Sequence, residues 1–409
     1  MADPFNLTNK NNPVELTSNL NDSSKSLIGQ YGPWAADLPA DPPVLSFRRP
    51  DSLPLKAWRE NALNQVEAFL GAPDIGQNPK VEVRRKYTYD GLVVEELSWQ
   101  LPYGRKTQAL LLKPENVQEP LPGILALHDH GGNKYFAQRK ITRTGDEQHP
   151  LMTEHQKQYY EGKAWANEIA KRGYVVLVPD VFTFGSRRVF YQDVVGFTWG
   201  PMRTEARSDA APETSENIAT YNEWAAHHEN TMAKSLFCGG TTWPGVFLRE
   251  DQRALDVLCA RSDVDAARVG CGGLSGGGLR TAYLGGLDSR ILCAVCVGFM
   301  TTWRDLLLHK SYTHTWMTYI PILPKYLDFP EVLGLRTPLP TMVLNSEEDQ
   351  LFTLPEMHRA DRILNEVFAK ANATDRYRCN FYKGEHKFDQ TMQTDAFNWF
   401  DQWLAVSKP

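Results

Sequence analysis

Apolar positions follow two patterns along the chain, and each pattern predicts a different kind of strand. In residues 81–89, 92–101 and 107–112, apolar and polar side chains alternate, with Asp90-Gly91 and Tyr103-Gly104 at the junctions. This alternation predicts antiparallel strands at a sheet edge, joined by tight turns. From residue 122 onward the strands become apolar, as in parallel strands covered on both faces, at 123–127, 174–178, 268–271 and 291–297. Two further strands are predicted at 341–344 and 377–382.

Stretches with helical periodicity separate these strands. Residues 55–70 place apolar side chains at helical spacing and end at Gly71-Ala72-Pro73. The same reasoning predicts helices over 158–172, 216–237, 247–261, 356–371 and 395–405. Repeated alternation of strands and helices predicts an α/β fold with a doubly wound, mostly parallel sheet and antiparallel strands at its N-terminal edge.

Two long segments interrupt this alternation, and they bear on the domain organisation. Residues 186–244 and 301–329 are rich in aromatic side chains and carry few strand signals. We interpret them as cap insertions within one catalytic domain that spans residues 80–409. Residues 1–79, polar and punctuated by prolines up to residue 50, are predicted to form an N-terminal arm and a helix.

Composition and charge exclude several classes of function. The 409 residues carry a formal net charge of −5, and lysine and arginine are scattered, so no nucleic-acid partner is expected. The chain contains no run of about 18 apolar residues, so we expect no membrane span. Because residues 1–30 lack the apolar core of a signal peptide, the sequence as given predicts a cytoplasmic protein. A secreted or periplasmic origin with the leader removed is the alternative, and the oligomeric state is left open.

A glycine-rich turn provides the most informative motif. Gly273-Leu274-Ser275-Gly276-Gly277 follows the strand at 268–271 and precedes a predicted helix. Strand, Gly-x-Ser-x-Gly and helix together describe a nucleophile elbow, in which glycines tolerate the crowding around a strained serine. The first helix amides would then face the oxygen on which negative charge develops. A plain turn and a phosphate loop are the alternatives, but no Gly-Lys-Ser/Thr follows.

A nucleophilic serine needs a base, and the base needs a carboxylate that orients it. In this order of elements the acid is expected after a late strand, and 341–344 leads into three carboxylates at residues 347–349. We favour Asp349, because a short side chain held in the loop leaves the least slack and Leu351-Phe352 would bury it. His386 follows the strand at 377–382 and precedes the last helix, so it is the predicted base.

The loop after the first buried strand is a second candidate element of the site. An oxyanion site needs a backbone amide besides that of Gly276, and Gly131-Gly132 can approach a substrate closely. The preceding residues His128, Asp129 and His130 could also be metal ligands, but the sequence places no third ligand type nearby. We therefore predict no metal or cofactor, and expect His130 to brace the loop or contact the substrate.

With these residues, the chain resembles the α/β-hydrolase superfamily over about residues 80–405. Within it, the chain is similar to the bacterial acetylxylan-esterase-like and dienelactone-hydrolase-like carbohydrate esterases. The resemblance rests on the elbow, on 130–132 and 344–352, and on the stretches 173–188, 251–256, 263–265 and 287–291. It implies a serine esterase that removes acetyl or methyl groups from a small-molecule or oligosaccharide ester through Ser275, His386 and Asp349.

Two departures from related groups narrow the resemblance. Dienelactone hydrolases proper use a cysteine nucleophile, whereas this elbow holds Ser275. Glucuronoyl esterases carry an arginine directly after the serine, whereas this chain has Gly276. The resemblance therefore favours an oxyanion site built from plain backbone amides, and methylesterases of sugar acids stay possible.

Substrate contacts and competing functions are less constrained. Arg187 and Trp303 are candidate substrate residues, although buried arginines often brace loops and cap aromatics often pack on each other. The further aromatic candidates are Trp199, Trp224, Trp243, Trp316 and Tyr319. A prolyl-oligopeptidase-like peptidase is one competing function, although about 80 residues before the sheet are too few for a propeller. A hydrolase-fold binding protein without catalysis is the other.

Overall fold

The fold was analysed in a computed structural model that describes residues 25–116, 118–198 and 200–405. The first part of the predicted N-terminal arm and the candidate Trp199 lie outside the described residues. In the described ranges, no helix is both long enough and apolar enough to cross a membrane.

Within the described residues, nine strands form a single mixed sheet in the order β1-β2-β3-β5-β4-β6-β7-β8-β9. The first three strands and the β3–β5 pair are antiparallel, and every pair from β5 to β9 is parallel. This confirms the predicted α/β fold class. The strands are β1 (Glu82–Tyr89), β2 (Leu92–Trp99), β3 (Thr107–Pro114), β4 (Leu121–Ala126), β5 (Val175–Pro179), β6 (Val264–Leu274), β7 (Ile291–Val297), β8 (Thr341–Ser346) and β9 (Tyr377–Tyr382).

Helices cover both faces of this sheet. Successive side chains of β4 point to opposite faces of the sheet, so Leu125 belongs to one apolar cluster and Ile124 to the other. The first cluster packs against α2, α6, α7, α9 and α10, and the second against α3, α4 and α11. The helices are α1 (Tyr31–Ala36), α2 (Leu55–Leu70), α3 (Pro150–Tyr160), α4 (Trp165–Lys171), α5 (Ser215–Cys238), α6 (Trp243–Cys259), α7 (Gly276–Leu287), α8 (Trp303–Asp305), α9 (Phe329–Gly334), α10 (Leu354–Lys370) and α11 (Gln390–Leu404).

One predicted helix is wrong. The periodicity over residues 158–172 is divided between α3, which ends at Tyr160, and α4, which begins at Trp165. Glu161 adopts a left-handed conformation with φ 53°, and Gly162 follows with φ 78°. Two consecutive residues in this region end a right-handed helix, so the apolar pattern continues across a break in the backbone.

Two other helices begin earlier than their apolar patterns predict. Helix α6 starts at Trp243, where the Thr242 hydroxyl accepts a bond from the amide of Gly245. Helix α11 starts at Gln390, where the Asp389 carboxylate accepts from the amide of Met392. Both are ordinary N-caps, which satisfy free amides of the first turn before the apolar face begins.

Candidate active site

The turn between β6 and α7 holds Ser275 in a strained conformation, with φ 57° and ψ −117°. Residues other than glycine rarely adopt these backbone angles. The flanking glycines are required by contact: a Cβ on Gly273 or on Gly277 would lie 2.1 Å from the carbonyl oxygen of Leu127. The amide of Ser275 also donates to Val297 at 2.9 Å, which ties the turn to β7. These contacts show why the motif needs residues without a side chain.

His386 and Asp349 form a close pair at the same edge of the sheet. The imidazole Nδ1 lies 2.6 Å from Oδ2 of Asp349, whose side chain is 1% exposed. The other carboxylate oxygen accepts the amide of Leu351 at 2.9 Å. Glu347 and Glu348 are exposed, and their amides bond to carbonyls of the strand and loop that lead to His386. Of the three carboxylates in the acid loop, the structure thus pairs Asp349 with His386.

Gly298 lies between the His386–Asp349 pair and the elbow, directly after β7, which pairs with β6. A Cβ on Gly298 would lie 2.9 Å from Cε1 of His386 and 3.0 Å from the side chain of Leu274. Among the described residues, the Nε2 atom of His386 is buried and has no hydrogen-bond partner. Because a carboxylate only accepts hydrogen bonds, Nδ1 carries the proton and Nε2 presents its lone pair. A neutral imidazole in this tautomer can accept a proton at Nε2.

The glycine loop after β4 contacts the elbow through the backbone of His130. The backbone nitrogen of His130 lies 3.0 Å from the position that a Cβ on Gly276 would take. In the described ranges no hydrogen bond uses this amide. By contrast, the amide of Gly132 donates to Nδ1 of His130 at 3.0 Å. The predicted donor Gly132 is therefore already occupied in this structure, and the amide of His130 is an unbonded one that lies beside the elbow.

Gly131 is explained by crowding. A Cβ there would lie 2.4 Å from Oδ1 of Asp129 and 2.5 Å from Cε1 of His155. Asp129 is buried, and its carboxylate contacts Nε2 of His155 at 3.1 Å and the hydroxyl of Tyr160 at 2.5 Å. Burial acts to raise the pKa of Asp129, but His155 and Lys140 beside it outweigh burial and hold that pKa well below its usual range. The carboxylate stays ionised beneath the loop.

Two buried lysines bind this loop at different points. The ammonium of Lys140 donates to the carbonyls of Asp129 and His130 at 2.8 and 2.7 Å. Burial lowers the pKa of Lys140 to about 8. Lys134 instead pairs with Glu229 of α5, whose carboxylate also lies 3.3 Å from Nε2 of His130. Burial lowers the pKa of His130, so its ring is neutral and braces the loop between Gly132 and α5.

The two remaining candidate substrate residues, Arg187 and Trp303, both form hydrogen bonds within the protein. The guanidinium of Arg187 is buried, bonds to Glu250 at 2.6 Å, and also donates to the carbonyls of Tyr103 and Arg105. Its charge is thus neutralised inside the fold, which matches the bracing interpretation. Trp303 is 8% exposed and donates to Leu327 at 3.2 Å.

The other aromatic candidates divide by exposure. Trp224 and Trp243 are buried, Tyr319 is partly buried, and Trp316 is 39% exposed. Most of these side chains therefore pack within the molecule.

Sequence reasoning missed His314, which lies in the second insertion. Its Nδ1 is 3.1 Å from the carbonyl of Lys310, so Nδ1 carries the proton. Within the described part of the chain, its Nε2 is buried and unpartnered. Burial lowers the pKa of His314 to about 4, and Asp349 and His386 are among the groups that act on it electrostatically. An isolated histidine in an aromatic segment carries no motif that marks it in the sequence.

Possible metal ligands do not cluster in the described ranges: no three histidine, cysteine or acidic side chains are placed to share an ion. Asp129 turns to His155 and Tyr160 rather than to its two neighbouring histidines. His128 is buried and its Nδ1 lies 3.0 Å from the carbonyl of Asp129.

Comparison with known proteins places this geometry in context. No protein-family model matches the chain. The chain is 24% identical over 349 residues to a Bacillus subtilis (strain 168) protein named "Putative hydrolase YtaP", covering 85% of this chain and 100% of the relative. It is similar in structure to a "putative acetyl xylan esterase" from Bacteroides fragilis NCTC 9343, with a TM-score of 0.64 and 18% identity over 87% of this chain and 82% of the other. A glucuronoyl esterase from Solibacter usitatus gives a TM-score of 0.57 and 16% identity over 85% and 94%.

These similarities are distant in sequence and close in architecture. They confirm that the chain has the α/β fold of esterases of the acetylxylan and glucuronoyl groups, as its motifs predicted. At such identities a shared fold does not by itself transfer an activity, since one fold hosts many functions.

Proposed function

We propose that this protein is a serine carboxylic ester hydrolase that acts through Ser275, His386 and Asp349. The observation that carries the proposal is the arrangement at the carboxyl edge of the sheet. A strained serine stands between β6 and α7. Gly298, the residue after β7, lies between Leu274, which precedes that serine, and an imidazole paired with a buried carboxylate. Backbone strain at a partly buried nucleophile, with a base and an orienting acid nearby, is typical of acyl-transfer sites.

The proposed reaction has two halves. The Oγ of Ser275 attacks the ester carbonyl carbon while Nε2 of His386 accepts the hydroxyl proton, and Asp349 stabilises the resulting imidazolium. The carbonyl oxygen becomes an oxyanion, which the amides of Gly276 and His130 hold. When the C–O bond to the alcohol breaks, His386 gives its proton to the leaving oxygen. Water then attacks the acyl-enzyme by the same steps, releasing the carboxylic acid and free Ser275.

The oxyanion site in this proposal differs from the first expectation, which named Gly131 and Gly132 besides Gly276. Gly276 starts α7, so its amide lacks a partner within its own helix. The amide of His130 takes the place expected for Gly132, because the Gly132 amide bonds to the His130 ring. Gly131 then serves the turn that brings His130 to the elbow.

For the substrate we propose an acetyl or methyl ester carried by a small carbohydrate or oligosaccharide. The support is the set of structural neighbours, which are named as acetyl xylan, glucuronoyl and methyl esterases. Since Gly276 leaves no cationic side chain after the serine, the site offers neutral donors to the acyl group. We further propose that residues 80–409 form one catalytic domain, with 186–244 and 301–329 as its caps.

The test is a substrate panel run with wild type and Ser275→Ala. The panel contains an aryl acetate, acetylated xylo-oligosaccharides, methyl-esterified uronates and aminoacyl arylamides. We expect hydrolysis of the acetates or methyl esters by wild type only, and stoichiometric labelling of Ser275 by a fluorophosphonate. Preferred cleavage of the arylamides would instead indicate a peptidase. A wild-type protein that neither labels nor hydrolyses any ester would be a binding protein, and the proposal would be wrong.

A further inference from the structure

The buried lysine beneath the glycine loop has no role in the reaction as proposed so far. Lys140 is fully buried, which is unusual for lysine unless its charge has a partner. Its distance to the Asp129 carboxylate is 3.9 Å, longer than its contacts with backbone oxygens. Those contacts are 2.8 Å to the carbonyl of Asp129 and 2.7 Å to that of His130. One ammonium therefore holds two consecutive carbonyls.

This grip determines where the amide between the two carbonyls points. In a trans peptide, the carbonyl of one residue and the amide of the next point in opposite directions. With the carbonyl of Asp129 turned toward Lys140, the amide of His130 points away from the lysine. The backbone nitrogen of His130 is also the atom nearest to the free side of Gly276, at 3.0 Å from the position of its missing Cβ.

We infer that Lys140 is a positioning residue for the oxyanion site, holding the Asp129–His130 peptide so that the His130 amide is presented at the start of α7. The inference rests on the proposed function, because it needs an oxyanion at Ser275. A second effect also favours binding of the oxyanion. A cation bonded to a peptide carbonyl polarises the peptide and makes its amide a stronger hydrogen-bond donor. Lys140 touches neither substrate nor reacting atoms, and acts only through the His130 peptide.

A purely structural role for Lys140 would make a different prediction. Asp129 already bonds to His155 and Tyr160, so its charge does not depend on the lysine alone. If Lys140 only offset that charge, any buried cation at residue 140 would be sufficient. If it positions the peptide, the single nitrogen between two carbonyls matters, and a planar guanidinium would displace them.

The experiment compares Lys140→Met with Lys134→Met. Both remove a buried ammonium from the same loop, but Lys134 bonds to Glu229 and to Ala225 of α5 and touches neither of the two carbonyls. On the ester that wild type hydrolyses best, we expect Lys140→Met to lower kcat by about 10- to 100-fold, less than loss of an oxyanion donor outright. KM should stay within about twofold, and the rate of fluorophosphonate labelling should fall in parallel with kcat. Lys134→Met is expected to keep kcat within about threefold.

Lys140→Arg separates geometry from charge and also serves if Lys140→Met does not fold. We expect kcat to fall by about three- to tenfold at unchanged KM, since the charge at residue 140 is kept but the His130 amide is displaced. Wild-type kcat in Lys140→Arg, or equal losses in Lys140→Met and Lys134→Met, would overturn the inference. Failure of the proposed function looks different, because wild type itself would then neither hydrolyse esters nor label at Ser275.

Discussion

Backbone strain at Ser275 can be measured separately from its chemistry. Its φ of 57° with ψ of −117° suits glycine, whereas a Cβ in this region costs about 1–3 kcal/mol. Ser275→Gly should therefore raise the free energy of unfolding by about 1–2 kcal/mol relative to Ser275→Ala, which keeps the Cβ. Urea unfolding of both variants gives the difference, and neither should hydrolyse esters. Equal stabilities would mean that the surrounding contacts relieve the strain in other ways.

The pairing of His386 with Asp349 makes a second prediction at the residue scale. Asp349→Asn keeps the size of the side chain but presents an amide donor or a weaker acceptor to Nδ1. The imidazole then loses both its tautomer and the charge that stabilises it, and kcat should fall by about 10⁴ with little change in KM. Glu348→Gln is the matched control on the exposed neighbour and should keep wild-type kcat. A comparable loss of kcat in Glu348→Gln would mean that the assignment of Asp349 as the acid is wrong.

Residues of the site differ in how far the sequence could reveal them. Ser275, Asp349 and His386 follow from a short motif and from the order of elements, because the chemistry needs those types there. Lys140 and Glu229 did not, since a lysine in a polar loop and a glutamate in a helix usually face solvent. Only the tertiary fold buries them. The occupied amide of Gly132 is likewise a property of the His130 ring conformation, which no pattern encodes.

Among helices, α6 and α7 are joined by one buried ion pair that fixes the helix following Ser275. Arg280 of α7 binds Asp251 of α6 through two contacts, at 2.9 and 2.6 Å, with both side chains 2% exposed. Asp251→Ala leaves an unpaired buried guanidinium and should lower the free energy of unfolding by about 3–5 kcal/mol. Glu205→Ala, which breaks an exposed pair with Arg203, should cost less than about 1 kcal/mol.

A paired replacement distinguishes charge burial from packing at this contact. Asp251→Leu combined with Arg280→Met removes both charges and should recover most of the stability lost in Asp251→Ala. If the double variant is as unstable as the single one, the helices depend on shape at this contact rather than on compensation of charge. Urea unfolding at neutral pH measures all three variants.

Elements were predictable where one physical signal dominated. β7 agrees with its predicted bounds because all of its residues are apolar, and α2 agrees because Gly71 ends it in a left-handed conformation. The error at 158–172 has the opposite origin. Apolar periodicity is continuous there, and the break comes from the left-handed backbone of Glu161 and Gly162, which apolar spacing does not report.

At the scale of the whole molecule, buried titratable groups make stability depend on pH, and two of them do so in opposite directions. Burial lowers the pKa of His228 to about 4, where it stacks on Trp224, and burial raises the pKa of Glu331 to about 7, where Ser46 and Arg48 bond to it. Between pH 4.5 and 6.5, the unfolded chain holds one more proton at His228 than the native protein does, so this residue makes stability rise with pH. Over the same interval the native protein holds one more proton at Glu331, which makes stability fall with pH.

These two contributions oppose each other at up to about 1.4 kcal/mol per pH unit each, so they largely cancel in the wild type. Single replacements should separate them. In His228→Gln, of these two contributions only that of Glu331 remains, and the free energy of unfolding should fall more steeply with rising pH than in the wild type. In Glu331→Gln it should rise more steeply. Urea unfolding at several pH values between 4.5 and 6.5 gives the slopes, and slopes of the same sign relative to wild type would show that one of the two groups titrates normally in the fold.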